Sequence, residues 1–403
     1  MKTPLKIALI HNGKPASKDP KLPADYYSEC DSPKTIRAIT GAIEKGGHTV
    51  LPVEADRELA VWLLKNPVDL AFNIAEGFEG DAREARVPAL LEMLGIPYTG
   101  SGVLALALAL DKARSKQIFR AAGIPTPNFQ LFAHADDPVD PKLQYPLIVK
   151  PNSEGSAKGI SAASVVANEP ALRAQIRHVM DGYSQEALVE EYIEGTELTV
   201  GILGADDILP VLEIDFKNCA ASGEFFYSWR MKEYQGNKEM HLDPQFWCPA
   251  RLSPAVTQAV QSVAWKAARA LGTRDISRVD IRLSTDGIPY VLEVNPLPGM
   301  DPDESNLPVM TKAAGIPYES FILRLVNLAA DRAAQRPRTI PSSIPSSKPI
   351  GSKPLASQDG TLPGPAEHGS GQPDAPVAAV RNGGAKPKAK LRNPDAKEEN
   401  LGH

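Results

Sequence analysis

The most informative polar residues lie on two short segments on either side of residue 286. Asp280 lies in one segment, and Glu293 and Asn295 lie in the other. Because alternate side chains of a strand share a face, Asp280 is expected beside Arg278, and Glu293 beside Asn295. A hairpin would bring these oxygen atoms together as ligands for a hard cation such as Mg²⁺. The pattern also fits a solvated hairpin face, but Gly299, in the proline-rich turn that follows, favours close approach of a ligand.

A second candidate feature joins a buried strand to a glycine-rich loop. Lys150 ends the apolar run 147–149, and the loop sequence NSEGSAKG follows at 152–159. Such loops bring backbone N–H groups close to phosphate, and a lysine at the rim of a buried strand needs an anion. Lys112, at a helix end, and Lys232, in a long irregular segment, are weaker candidates when taken alone.

Several other kinds of chemistry are excluded. Neither GxxxxGK[ST] nor GxGxxG occurs in the sequence, so it has no Walker-type loop and no dinucleotide fingerprint. Cys30, Cys219 and Cys248 have no CxxC or Cys/His spacing, which argues against a zinc site or a disulfide framework and favours a reducing compartment. The seven histidines fit no triad or metal spacing.

Short apolar runs and amphipathic stretches alternate in the first hundred residues, which predicts βαβ units around a parallel sheet. The predicted strands there are 6–12, 50–53 and 69–74, and the predicted helices are 33–45, 84–94 and 104–110. Further along the chain, strands are predicted at 146–150, 187–193, 197–203, 208–216, 277–284 and 290–295, and helices at 117–122, 253–271 and 318–332. The irregular segment 218–248 is longer than an ordinary connecting loop, and a loop of this length predicts a functional flap.

The composition is that of a globular protein of two or three domains. Of 403 residues, 42% are hydrophobic and 23% charged, with a net charge of −5. Residues 334–403 contain 11 of the 37 prolines, ten Lys/Arg against six Asp/Glu, and no aromatic residue. This predicts a disordered tail that catalysis does not need. The acidic remainder argues against nucleic-acid binding, and the lack of a long apolar run argues for a cytoplasmic protein without membrane contact.

Together these segments resemble D-alanine–D-alanine ligases and their relatives in the ATP-grasp superfamily. The matching segments follow the family's order: LDKARSK at 110–116, IVKPNSEGSAKGIS at 148–161, VEEYIEGTELTVGIL at 189–203, SRVDIRL at 277–283 and LEVNPLPGM at 292–300. The resemblance runs from about residue 6 to residue 332 and is most specific from 112 to 300. AEG at 75–77 and REARVPALLEMLGIPYTGSG at 83–102 resemble a ligase-related subgroup more than the cell-wall enzyme.

The resemblance implies a three-domain ATP-grasp fold of the α/β class, with α+β character in the central domain. The expected parts are an open parallel-sheet N-terminal domain (1–111), a central lid domain (112–203), a C-terminal domain with the metal site (204–332) and a disordered tail (333–403). ATP would bind between the central and C-terminal domains with two Mg²⁺ ions, for which Mn²⁺ could substitute. The expected partners are small amino-acid or peptide substrates, and a homodimer is compatible with the resemblance.

The resemblance also assigns roles by position. Lys112 and Lys150 match the phosphate-binding lysines, and Lys232 matches the flap lysine near the γ-phosphate. The nucleotide-binding set is completed by Glu190, Glu191, Tyr192 and Ile193 at the adenine hinge and by Glu197 at the ribose. The metal ligands would be Asp280, Glu293 and Asn295, and the catalytic set would be Arg278, Ser156, Lys232 and Gly299.

The positions that would bind the two amino acids depart from the family pattern. Residues 13–31 form a longer loop that does not align, which leaves Glu29 or Glu76 to replace the glutamate that binds the first ammonium. Glu233 stands where the family has tyrosine, and Ser305 or Asn306 could bind the second carboxylate.

We therefore expect an ATP-dependent carboxylate–amine ligase that acts through an acyl phosphate, and whose substrate need not be D-alanine. One alternative is the same ATP chemistry on a non-alanine substrate in secondary metabolism. The other is a non-catalytic regulator that retains the nucleotide-binding fold. The intact set of proposed metal ligands argues against that second alternative.

Overall fold

The computed structural model describes residues 3–335. A three-stranded parallel sheet, with strand order β2-β1-β3, forms the N-terminal part. Ser32 caps the first helix by accepting a hydrogen bond from the backbone N–H of Thr35, and proline follows at the first helical position. The elements are β1 (Lys6–His11), α1 (Pro33–Lys45), β2 (Thr49–Glu54), α2 (Leu59–Lys65), β3 (Leu70–Asn73), α3 (Arg86–Leu94) and α4 (Val103–Leu110). The predicted open parallel sheet is therefore confirmed.

The central part is a four-stranded antiparallel sheet with strand order β4-β7-β5-β6. Its strands are β4 (Phe129–Phe132), β5 (Leu147–Pro151), β6 (Val165–Val166) and β7 (Ala187–Glu191). Helix α5 (Lys112–Ala121) precedes the sheet, and α6 (Glu169–Tyr183) packs on it through Leu172, Ile176 and Val179. This packing holds Lys150, at the end of β5, beside the glycine-rich loop.

The third part is a six-stranded antiparallel sheet with strand order β11-β10-β8-β12-β13, and β9 pairs with β8. Its strands are β8 (Gly195–Leu203), β9 (Asp207–Ile208), β10 (Leu212–Asp215), β11 (Gln245–Trp247), β12 (Ile276–Ser284) and β13 (Pro289–Asn295). The helices are α7 (Trp229–Glu233), α8 (Pro254–Ala270), α9 (Asn306–Ala313) and α10 (Tyr318–Gln335). Strand β12 pairs with β8 on one side and with β13 on the other, so the proposed metal hairpin is joined to the sheet through β12, and β13 is the edge strand.

Several predicted elements differ from the observed ones. The predicted strand 208–216 is divided into β9 and β10, because Pro210 cannot donate a ladder hydrogen bond. Helices α2, α6, α7 and α9 were not predicted. The predicted tail was residues 333–403. From residue 336 onward it lies outside the residues that the structure describes. Within residues 3–335, no helix is long and apolar enough to cross a membrane.

Candidate active site

The β12–β13 hairpin brings the proposed metal ligands together beside Arg278. Arg278 pairs with Asn295 in the strand register, and Asp280 pairs with Glu293. The Asp280 carboxylate accepts hydrogen bonds from Nε and Nη2 of Arg278, both at 2.9 Å, and from Nδ2 of Asn295 at 3.0 Å. The hydroxyl of Thr199, on β8, donates to it at 2.7 Å. These partners hold the carboxylate of Asp280 in one orientation.

Glu293 faces several lysines. Its Oε2 lies 3.2 Å from Nζ of Lys112. Burial alone would raise the pKa of Glu293, but Lys112, Lys150 and Lys232 outweigh burial and lower it to about 2. Glu293 is therefore ionised at neutral pH, as a ligand of a hard cation must be.

The donor set fits Mg²⁺. Within residues 3–335, no group of three His, Cys, Asp or Glu side chains has metal-binding spacing. A cation at the hairpin would therefore use two carboxylates, the amide oxygen of Asn295 and oxygens from a bound phosphate, which is the way Mg²⁺ is usually held in nucleotide sites.

Lys150 shares a buried carboxylate with a lysine that was not predicted. Glu190, 1% exposed, forms ion pairs with Nζ of Lys150 and, at 2.7 Å, with Nζ of Lys116, which is fully buried. Burial lowers the pKa of Lys116 to about 8 despite the nearby Glu190. Lys116 lies one helical turn from Lys112 on α5. This i,i+4 spacing was the signal in the sequence from which Lys116 could have been predicted to lie on the same side of α5 as Lys112.

The glycine-rich loop is held to the N-terminal part by buried charges. Lys158 Nζ lies 2.7 Å from Oε2 of Glu29 and also pairs with Glu154. Arg83 Nη2 lies 2.9 Å from Glu29, and Arg83 Nη1 donates to the carbonyl of Ser153 at 2.6 Å. These pairs, which link residues 29 and 83 to residues 153–158, fix the loop over the site.

The loop also has an unusual backbone. Ser156 has φ 50° and Ala157 has φ 57°, both in the left-handed region. A Cβ on Gly155 would overlap the carboxylate of Glu29 and would lie 3.8 Å from Oε2 of Glu76. The absence of a side chain at Gly155 therefore lets the loop backbone approach these two carboxylates.

Lys232 lies in the flap on the short helix α7. The hydroxyl of Ser228 caps this helix by accepting from the N–H of Met231. Nζ of Lys232 lies 5.2 Å from the ring centroid of Tyr227, and it forms no ion pair with a carboxylate of residues 3–335. Burial lowers the pKa of Lys232, and Arg278 adds to the effect. The lysine is thus available to an incoming anion.

Two of the candidate substrate-binding glutamates are already paired. Glu29 is bound by Arg83 and Lys158, as described above, and Glu233 Oε1 lies 3.3 Å from Nζ of Lys18. Ser305 precedes α9, and its hydroxyl accepts from the N–H of Asp301 at 3.0 Å. A Cβ on Gly299 would approach this hydroxyl to 3.0 Å, so the turn packs closely on the start of α9.

Two adjoining cavities are lined by most of the predicted site residues. A larger one, of about 390 Å³, lies between the N-terminal part, the glycine-rich loop, the flap and the end of β13. A smaller one, of about 100 Å³, adjoins it on the side of β5 and β8. Predicted residues at the larger cavity are Glu76, Lys112, Ser156, Lys232, Glu233, Arg278, Glu293, Asn295, Gly299, Ser305 and Asn306. Lys150, Glu197 and Asp280 line the smaller cavity, and Lys112, Lys232, Arg278 and Glu293 line both.

The predicted adenine hinge lies apart from these cavities. The side chain of Glu191 accepts hydrogen bonds from Asn128 and Gln144. Arg282 donates to the hydroxyl of Tyr192 at 2.6 Å and to the carbonyl of Ile193 at 3.2 Å. Tyr192 lines a separate cleft near β10. Their assignment to adenine stays a prediction.

A lysine-bearing strand and loop, an antiparallel sheet carrying carboxylates and a flap define the class of ATP-grasp ligases. Residues 118–327 match the family model described as D-ala D-ala ligase C-terminus. The chain belongs to the D-alanine–D-alanine ligase family, and its fold is the three-part ATP-grasp fold of these ATP-dependent, peptide-bond-forming ligases.

Individual relatives agree with this membership. A D-alanine–D-alanine ligase of Gloeobacter violaceus is 37% identical over 302 residues, which are 73% of this chain and 93% of that protein. An uncharacterized protein of Sinorhizobium fredii is 34% identical over 306 residues, which are 73% of this chain and 87% of that protein. A crystal structure of the Bacillus anthracis D-alanine–D-alanine ligase complexed with ATP matches this chain with a TM-score of 0.64 at 26% sequence identity. The match covers 82% of this chain and 99% of the Bacillus anthracis chain.

Proposed function

We propose that this ATP-dependent ligase phosphorylates the carboxylate of one amino acid and joins it to the amine of a second amino acid or short peptide. The observation that carries the proposal is the junction of the two cavities. A nucleotide triphosphate in the smaller cavity and an amino acid in the larger one would meet at Lys112, Lys232, Arg278 and Glu293, which line both.

The cations at this junction account for the first step. An amino-acid carboxylate attacks the γ-phosphorus, ADP leaves, and an acyl phosphate forms. Lys112, Lys150 and Lys232 offset the negative charge on the phosphoryl oxygens, and Lys232 has no carboxylate partner among residues 3–335 to release first. Asp280, Glu293 and Asn295 would hold a Mg²⁺ or Mn²⁺ ion, whose positive charge would help to offset the charge of the phosphoryl group.

The second step needs donors for a tetrahedral oxyanion and exclusion of water. The amine attacks the acyl carbon, and phosphate leaves as the amide forms. We assign oxyanion stabilisation to Arg278 and the backbone N–H of Gly299, which line the larger cavity. The flap and the loop at Ser156 exclude water, which would otherwise hydrolyse the acyl phosphate.

We propose that the preferred substrate is not D-alanine. Glu29, one candidate for the ammonium-binding residue, is already bound by Arg83 and Lys158. Glu233, where the family has tyrosine, is paired with Lys18. A site whose buried polar groups do not match a ligand rejects it strongly.

The domain assignment is also part of the proposal. The three sheets support three parts, as expected for 1–111, 112–203 and 204–332, except that β8 (Gly195–Leu203) pairs with β10 and β12 of the third sheet, so we place the second boundary before Gly195. A cytoplasmic location and a homodimer belong to the same proposal.

The test is turnover of the purified full-length chain with Mg-ATP and a panel of amino acids. We expect ADP and phosphate release with at least one amino acid or amino-acid pair, a mass consistent with an amide product, and poor release with D-alanine alone. Formation of D-alanyl-D-alanine with kcat/KM above about 10⁴ M⁻¹s⁻¹ would show that the substrate assignment is wrong. Release of ADP without any amide product would contradict the ligase proposal.

A further inference from the structure

Two glutamates on the N-terminal side of the larger cavity have no hydrogen-bond or ion-pair partner among residues 3–335. Glu84, just before α3, is 8% exposed, and Glu76 follows β3. Both line the larger cavity. No hydrogen bond or ion pair within residues 3–335 involves either carboxylate, and both are influenced only by burial and by charges at a distance.

The cations near these glutamates are bound elsewhere. Arg83 donates to Glu29 and to the carbonyl of Ser153. Lys158 is paired with Glu29 and Glu154, and Lys112 with Glu293. Neutralisation of Glu76 and Glu84 therefore requires a proton or a cation from outside residues 3–335.

Burial and neighbouring negative charges make the ionised forms of Glu76 and Glu84 unfavourable. Burial raises the pKa of Glu84 to about 7, against the effect of Arg83, and Glu29 raises it further. Burial and the neighbouring Glu29 also raise the pKa of Glu76 well above its ordinary value. A buried carboxylate without a partner is costly, and a cation placed between the two would relieve that cost.

The chemistry of the two carboxylates suits an ammonium group. A primary ammonium donates three hydrogen bonds and suits two carboxylates on one side of a cavity. The α-amino group of an ordinary amino acid supplies one positive charge, which leaves one of the two glutamates unpaired.

We propose that the larger cavity binds an amino acid with a second ammonium group on its side chain, and that Glu84 and Glu76 recognise its two ammonium groups. The inference rests on the proposed function, because it names the substrate class of the same site. Glu84 is thereby a specificity-determining residue, and the accepted substrates are diamino acids such as ornithine or lysine.

The experiment compares pairs of amino acids that differ mainly by the terminal amine. Full-length protein with Mg-ATP is supplied with ornithine or norvaline, and with lysine or norleucine, each as both enantiomers. We expect kcat/KM for ADP release to be about tenfold or more higher with the diamino acid of at least one pair. Binding of the same compounds is measured by calorimetry with a non-hydrolysable ATP analogue.

Variants separate recognition from catalysis. Glu84→Gln is expected to remove most of the preference for the diamino acid without changing KM for ATP, and Glu76→Gln gives a second test if Glu84→Gln does not fold. Glu79→Gln removes an exposed charge from the same segment and should leave the preference intact. A loss of turnover that is equal for ornithine and norvaline in both variants would show that the glutamates are structural.

The outcomes also distinguish the two proposals. A wild-type preference for norvaline and norleucine overturns the inference and leaves the ligase proposal standing. Glu84-dependent binding of ornithine or lysine without an amide product supports the inference and contradicts the ligase proposal. Neither binding nor turnover with any amino acid contradicts both.

Discussion

Glu190 is the residue on which two buried lysines depend. It lies between Lys116 and Lys150, and each lysine pairs with a different carboxylate oxygen. Desolvating three charges is expensive, and their mutual attraction offsets the cost only while the set is complete. Burial opposes ionisation of Glu190, but Lys116 and Lys150 lower its pKa below the ordinary value of 4.5.

We predict that Glu190→Gln destabilises the protein by about 3–5 kcal/mol, because it leaves two buried lysines without an anion. Glu191→Gln, at the adjacent and more exposed position, is the control and should have a much smaller effect. Urea denaturation of both variants measures the difference in free energy of unfolding. Equal effects would show that the buried ion pairs contribute no more than the exposed neighbour.

The lowered pKa of Glu190 also predicts a pH dependence. A carboxyl group whose pKa is lower in the folded state contributes stability above its unfolded value of 4.5, and loses it as pH falls through the folded value. We expect the wild type to lose stability below pH 4.5 more steeply than Glu190→Gln does. Parallel stability curves for the two proteins in this range would contradict the assignment.

Glu293 supplies the residue-level test of catalysis. Because it is paired with Lys112 and proposed to hold a divalent cation, we predict that Glu293→Gln lowers kcat/KM by about 100-fold or more. Thermal melting checks that the variant is folded. Glu239→Gln, on the exposed surface of the flap, should retain turnover. Wild-type turnover of Glu293→Gln at saturating Mg-ATP would contradict the metal assignment.

At the level of elements, periodic patterns and caps were sufficient to predict most strands and several helices. Alternation on β12 and β13 placed Arg278, Asp280 and Asn295 on one face, and the register has them in contact. The sequence offered Glu29 and Glu76 as alternatives for the ammonium-binding residue but did not single out Glu84, because partners distant in sequence decide which glutamates are paired. Glu29 is bound by Arg83, 54 residues away, whereas Glu84 forms no ion pair with a cation of residues 3–335.

The boundary between β7 and β8 depends on one glycine. Gly195 begins β8 with φ 147°, and a Cβ there would overlap the carbonyl oxygen of Leu283 on β12. Leu283 cannot move freely, because β12 is paired on both sides. A side chain at Gly195 is therefore incompatible with the observed pairing of β8 and β12.

We predict that Gly195→Ala destabilises the protein by about 2–3 kcal/mol, through backbone strain and the overlap with Leu283. Gly182→Ala is the matched control, because Gly182 lies in α6 and a Cβ there would contact nothing within 4 Å. That change should stabilise the protein by about 0.5 kcal/mol, because alanine favours helix. Urea denaturation measures both values, and equal effects would contradict the steric argument.

At the scale of the whole molecule, the last described helix closes the fold onto its beginning. Phe321, Ile322 and Leu325 of α10 share one hydrophobic core with Ile39 and Ile43 of α1. Helix α1 in turn carries Thr35, whose hydroxyl donates to Asp301 at 3.0 Å beside the Gly299 turn. Packing of α10 thus supports the helix that forms one wall of the larger cavity.

We predict that this closure depends on apolar packing more than on charge. Phe321 is fully buried, so Phe321→Ala should cost about 3–5 kcal/mol through lost burial and the cavity left behind. Glu319→Ala, on the same helix, removes only an exposed ion pair with Lys45 at 2.7 Å, and solvent screens such pairs. Chemical denaturation of the two variants should therefore give a much larger loss for Phe321→Ala. A comparable loss for Glu319→Ala would mean that the ion pair, and not the core, holds α10 against α1.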